Sequence, residues 1–182
     1  MIQYMSSAIN FNYQILETKP LLEGIEYLLS LPQKREFSRK HVLAELCTKN
    51  TKCACCGVEG TKFMLGKQSD NSLHWDLYTD DDIALSLDHI TPRTKVGIDH
   101  INNIQLLCVR CNGFKADKPF RLFVVKRLLD AGLDVQIVSH NSIIVDCGCA
   151  MPSDLWLELS EYLIEEFVYG DDGNGLYFYN YK

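Results

Sequence analysis

The sequence predicts an α+β fold whose centre is stapled by metal, with a helical segment before that centre and a mixed helix-and-strand extension after it. Three observations carry this expectation. Short apolar runs separated by Gly, Asp, Asn and Ser clusters fill the middle of the chain, apolar residues at helical spacing flank them, and two Cys-x-x-Cys pairs bracket them. With 182 residues, 47% hydrophobic and 23% charged, the chain holds enough apolar material for one good core and a small second one.

The elements follow in order. Leu21, Leu22, Ile25, Leu28 and Leu29 come after Pro20 at helical spacing and predict an amphipathic helix. Ser38 reads as the N-cap of a second helix reaching about Thr48, with Val42, Leu43 and Leu46 on one face. Cys53-Ala54-Cys55-Cys56-Gly57 reads as a turn, because Gly follows too soon for a helix to continue. Phe63 to Leu65, Leu73 to Tyr78, Ile83 to Leu87 and Ile104 to Val109 read as strands. A helix is expected to start after Asn112, break near Pro119 and resume through Leu129. Val135 to Val138 and Ile143 to Val145, joined through His140-Asn141-Ser142, predict a hairpin. Pro152-Ser153 opens a helix to about Val168, and Leu176 to Tyr179 forms a last strand. The expected division is a helical segment over 1–50, a core with a β insert over 51–130, and an acidic α+β extension over 131–182.

No run approaches the roughly 18 consecutive apolar residues of a membrane helix, and the Met1-Ile2-Gln3-Tyr4 start does not open a signal peptide. A cytoplasmic, intracellular protein is therefore expected. In that reducing compartment the eight cysteines point to metal ligation or free thiols rather than disulfides. Cys53-x-x-Cys56-Gly57 and Cys108-x-x-Cys111-Asn112-Gly113 have the spacing that turns two thiolates toward one ion, and two such knuckles make a tetrahedral structural Zn²⁺ site. Cys55 also lies where it can present sulfur, although Gly57 directly after Cys56 favours Cys56. Cys47, Cys147 and Cys149 are expected to be core thiols.

The net charge of −6 argues by itself against a polyanion partner, but the charge is unevenly spread. Residues 34–67 and residues 83–127 each carry eight Lys or Arg against three acids. Residues 128–182 hold ten acids against one Lys. The basic charge brackets the cysteines, so a nucleic acid is compatible with the centre of the chain.

Between the knuckles stands Leu85-Ser86-Leu87-Asp88-His89-Ile90-Thr91-Pro92, and beyond it Asn102-Asn103-Ile104-Gln105-Leu106-Leu107-Cys108-Val109-Arg110-Cys111-Asn112-Gly113-Phe114-Lys115. This run resembles the HNH endonucleases: Asp-His ending a strand, a nearby Pro, an Asn ahead of Leu-Cys-x-x-Cys-Asn, and a Lys three residues on. The resemblance is close over about 35 residues and implies a ββα-metal HNH core of phage or mobile-element type. It also implies that His89 is the general base, that Asp88 and Asn112 hold a catalytic divalent cation, and that Asn103 braces the loop orienting His89. The residue types suit that chemistry. An imidazole accepts a proton near neutral pH, and hard oxygen donors suit Mg²⁺ or Mn²⁺.

Double-stranded DNA is the substrate the resemblance implies. Arg93, Lys95, Arg110, Lys115 and Lys118 are the expected phosphate contacts, with Arg121, Lys126 and Arg127 in the same basic run. His100 repeats an Asp-His pair and reads as a loop residue, His74 as structural, while His41 and His140 belong to no motif. The acidic segment after residue 128 fits a second copy of the chain or a protein partner. The competing expectation is a zinc-stabilised binding module without cleavage activity, which has no need for Asp88, His89, Asn103 and Asn112 together.

Overall fold

The computed structural model describes residues 14–33, 37–67, 70–140, 142–146, 151–166, 168–171 and 176–179. They fall into two compact units divided at the Val109–Arg110 peptide, and mixed helices and antiparallel sheets make the chain α+β. No helix among the described residues is long and apolar enough to cross a membrane.

The first unit contains β1 (Gln14–Pro20), α1 (Leu21–Ser30), α2 (Arg39–Cys47), β2 (Lys62–Lys67), β3 (Leu73–Tyr78), β4 (Ala84–His89) and β5 (Ile104–Cys108). Its strands form one antiparallel sheet in the order β1-β2-β3-β4-β5. The register places Phe63 opposite Leu77, Leu77 opposite Leu85, and Leu85 opposite Cys108. None of these four side chains is more than 1% exposed, so a continuous buried row crosses the sheet and ends on a cysteine. Burial of each Phe or Leu contributes roughly 1.5–3 kcal/mol.

Helix α1 lies close against this sheet. A Cβ at Gly24 would run into the ring of Phe63, so only glycine permits the approach. Tyr27 meets Trp75 with ring centroids 5.5 Å apart. Ser38 occupies the N-cap position of α2 with extended backbone, but its hydroxyl makes no capping bond. It lies 2.9 Å from His41 Nδ1, and His41 Nε2 lies 2.7 Å from the carbonyl of Leu31. His41 thus links α2 to the residue that ends α1, a role its sequence context did not signal.

The second unit follows α3 (Val109–Lys115), whose first residue belongs to the preceding unit, with α4 (Phe120–Asp130), β6 (Asp134–Ser139), β7 (Ser142–Asp146), α5 (Ser153–Glu166), β8 (Val168–Asp171) and β9 (Leu176–Tyr179). The sheet order is β6-β7-β9-β8, all antiparallel. Val124, Val125 and Leu128 of α4, Val135, Ile143 and Val145 of the hairpin, and Leu155 and Leu159 of α5 are buried. Arg127 pairs with Glu158 through two hydrogen bonds of 2.8 and 2.6 Å, and Tyr162 of α5 meets Phe120 and Phe123 of α4.

Four features differ from expectation. Helix α3 begins at Val109 rather than after Asn112, so Cys108 ends β5 while Cys111 lies in the first turn of the helix. Helix α5 ends at Glu166, where Val168 enters a strand paired with β9. Strand β1 has almost no apolar alternation because it is an exposed edge, held by backbone pairing to β2 with an irregularity between Ile15 and Glu17. Arg121 is 3% exposed and donates to the carbonyls of Phe114 and His140, so it braces its own unit instead of facing phosphate. Cys147 and Cys149 lie outside the described residues.

Candidate active site and zinc centre

The turn Cys53–Gly57 is closed by the Gly57 amide donating to the Cys53 carbonyl at 3.0 Å, with Gly57 at φ 75. A backbone bond from Ala54 to the Leu106 carbonyl, 2.8 Å, fastens the turn to β5. The Cys108 amide donates to Cys53 Sγ at 3.4 Å, and Cys56 Sγ lies 3.8 Å from Cys108 Sγ. The four ligand atoms of Cys53, Cys56, Cys108 and Cys111 lie within 4.8 Å of one another. A disulfide needs about 2.05 Å. Zinc–sulfur bonds of about 2.3 Å in a tetrahedron place sulfurs about 3.8 Å apart, which the Cys56–Cys108 separation matches. The donor set therefore fits a structural zinc ion, and Cys55 is buried outside that set.

Cys47 is a different kind of thiol. Burial pushes its pKa up to about 12. At pH 8 its thiolate fraction is then roughly a thousandfold below that of an ordinary cysteine. Alkylation of native, zinc-loaded protein followed by peptide mass spectrometry is expected to leave Cys47 unmodified until the chain is denatured. Labelling of Cys47 at the rate of a free thiol in the native state would contradict its placement.

Strand β4 ends in Asp88-His89, and the pairing with β5 sets Asp88 opposite Gln105 and His89 opposite Ile104. Gln105 Nε2 donates to Asp88 Oδ2 at 3.0 Å. The connection from Ile90 to Asn103 contains Pro92, two 3₁₀ turns at Arg93–Lys95 and Ile101–Asn103, and Val96 in the left-handed region at φ 65. At Gly97 a side chain would run into the carbonyl of Thr91, so glycine is required there.

Asn103 ties this connection together. Its Oδ1 accepts from the Thr91 amide at 2.9 Å, while Nδ2 donates to the carbonyls of Thr91 and Ile98 at 3.2 and 3.1 Å. Its backbone carbonyl accepts from Ile90 at 2.8 Å. The folded-back loop brings Asp99 Oδ1 to 2.8 Å from His89 Nε2, and the same oxygen accepts from Arg93 Nε at 3.0 Å and Nη2 at 2.6 Å.

The hydrogen bonds from His89 and then Arg93 hold the Asp99 carboxyl below its ordinary value of 3.8. A carboxylate ionised at neutral pH only accepts, so the Nε2 of His89 carries hydrogen and the lone pair of the neutral ring lies on Nδ1. Because the folded-state pKa is depressed, the tie contributes to loop stability above the ordinary carboxylate range and is lost as pH falls through the lowered value. The Asp99→Asn variant is expected to keep its fold and lose activity on the order of a hundredfold, through the tautomer and orientation of His89. Unchanged kinetics would show that Asp99 only anchors the loop.

Asp99 was not legible as a site residue, although the repeated Asp-His pair marked the position. His100 proves local: its Nδ1 accepts from the Asn102 amide at 3.2 Å. His74 lies 3.0 Å from the Ser72 hydroxyl, in keeping with a structural part. Among the basic residues expected at phosphates, Arg93 is occupied by Asp99 yet has a side chain 64% exposed, and Lys95 is exposed. Arg110 and Lys118 are half-buried. Lys115 is 1% exposed, a correction to its expected surface placement: α3 turns it inward, where a phosphate does not reach in this conformation. Asn112 lies half-buried on α3, one residue after Cys111.

Residues 77–118 match the family model described as HNH endonuclease. No curated protein and no solved structure matches the chain. The matched stretch begins at the end of β3 and takes in β4, the Asn103-tied loop, β5 and α3. It includes Asp88, His89, Asp99, Asn103, Cys108, Cys111 and Asn112, and leaves out Cys53 and Cys56. An HNH endonuclease domain thus lies at residues 77–118, and it supports a function of the nuclease type.

Proposed function

We propose that this chain is a metal-dependent endonuclease that hydrolyses phosphodiester bonds in double-stranded DNA, with His89 as the general base. The observation that carries this is the 2.8 Å bond between His89 and Asp99, at the end of a strand inside the matched HNH stretch. With Nε2 engaged, Nδ1 is the atom that takes the proton from the attacking water, and Asp99 and Arg93 set the ring's orientation. Asn103 fixes the loop that carries Asp99.

Asp88 and Asn112 are the residues that would hold Mg²⁺ or Mn²⁺, since a carboxylate and an amide carbonyl are the hard oxygen donors such ions favour. When bound, that cation supplies charge neutralisation at the phosphate and the leaving oxygen. Asn112 directly follows the fourth cysteine, Cys111, in the chain. Lys95, Arg110 and Lys118 supply phosphate contacts together with the exposed face of Arg93; Lys115 is withdrawn from that set by its burial.

The test is conversion of supercoiled plasmid by purified protein in the presence of Mg²⁺ or Mn²⁺. Nicked or linear product that needs the cation supports the assignment. Inert wild-type protein across both cations and across duplex, branched and single-stranded DNA would defeat it. For the acidic extension, our proposal is a protein contact, either a second copy or a partner. Light scattering of the full chain against a version ending near Ala131 tests self-association, and two monomers would leave only the heterologous partner.

A further inference from the structure

The first unit carries a cavity of about 900 Å³ lined partly by the matched stretch, His89 included, and partly by residues ahead of it at the start of α2. Its polar wall combines Arg39 and Lys40, at the start of α2, with Arg93 and His89, and its apolar wall includes Pro32, Phe37 and Leu87. The volume lies within the roughly 300–1,000 Å³ range of pockets that enclose small organic ligands. Among the described residues, two acids stand against the positive wall. Asp76 stands 3.6 Å from Arg39, too long for a strong bond, and Asp99 is committed to His89 and Arg93. Lys40 stands half-buried beside them.

We infer that this cavity seats one unpaired nucleotide next to the cleaved bond, its phosphate on Arg39 and Lys40 and its base against Phe37. The inference rests on the nuclease assignment above and narrows the substrate to a duplex interrupted by a bulge, gap or flap. Chemistry selects the ligand. A basic rim one side chain from the base residue suits a phosphate, and an aromatic apolar wall suits the face of a base. A concave pocket excludes the stacked bases of a continuous helix, because a base must leave the stack to enter it. The positive charge of α2, remote in sequence from the Asp-His pair, thereby becomes part of the same substrate surface.

Fluorescence anisotropy on zinc-loaded protein without added Mg²⁺ or Mn²⁺ separates binding from cleavage. Two labelled DNAs suffice: a continuous duplex and the same duplex with a single-nucleotide bulge. Wild type is expected to bind the bulged form about tenfold more tightly, and Phe37→Ala to lose that preference. The double variant Arg39→Gln/Lys40→Gln is expected to weaken binding and to lower the salt slope by about 1, for the one phosphate the two side chains hold. Phe37→Leu, which keeps the apolar bulk, replaces Phe37→Ala should the latter melt early. Equal affinity of wild type for both DNAs, or a preference that survives loss of the Phe37 ring, overturns the inference and leaves the nuclease assignment standing. A salt slope unmoved in the double variant overturns it equally. Wild type that binds neither DNA brings down the nuclease assignment as well.

Discussion

Replacing His89 by alanine is expected to lower DNA cleavage about 10²–10⁴-fold at neutral pH while zinc content and thermal melting stay at wild-type values. The magnitude is that of removing a positioned general base. Retention of fold follows from placement: the side chain is 20% exposed and sits at the end of β4, outside the buried row that crosses the sheet. The comparison that decides is single-turnover cleavage of plasmid by wild type, His89→Ala and Asp99→Asn under identical Mn²⁺. The order expected is wild type fastest, Asp99→Asn intermediate and His89→Ala slowest. Asp99→Asn retains an imidazole that can still accept a proton but no longer favours one tautomer. Equal rates in wild type and His89→Ala would remove the imidazole from the reaction.

Removing zinc is expected to unfold the first unit altogether. A structural zinc site contributes on the order of 10–16 kcal/mol to folding in small domains, whereas whole domains are stable by only about 5–15 kcal/mol. Loss of the ion therefore exceeds what the core can offset. The coupling is direct, because the buried row Phe63, Leu77, Leu85 and Cys108 ends on a ligand. Purified protein is expected to hold about one zinc per chain. Chelation, or Cys108→Ser, should reduce the strand signal in circular dichroism by the share of the five-stranded sheet and bring Cys47 within reach of alkylation. A chain that contains no zinc and melts cooperatively would refute the site.

Much of this was readable from the chain because the chemistry and the local geometry coincide. Cys-x-x-Cys next to Gly needs a tight turn, and Gly57 supplies it at φ 75. Asp88-His89 ends its strand as expected, and Asn103 was marked as the brace of the loop that it does tie down. Other features depend on distant partners and leave no local trace. Strand β1 exists through backbone bonds to β2 and shows no alternating pattern. The carboxylate of Asp99 reaches His89 only because Gly97 and the Asn103 bonds fold the loop back. The inward turns of Lys115 and Arg121 were hidden for another reason: a cation in a basic run looks solvated until its packing is known.

The cysteine pairs also impose an order in time. Cys56 and Cys108 are 52 residues apart, so a ribosome adding roughly 5–20 residues per second delivers the second pair about 3–10 s after the first. During that interval the nascent chain already displays Asp88-His89, but β5, the partner strand of β4, is still being made. The carboxylate, the imidazole and the loop that aligns them stay unassembled until Leu106, Cys108 and Cys111 leave the exit tunnel. If the proposed centre is a nuclease, it stays inert until its clasp arrives, and zinc supply at that moment sets when it can act.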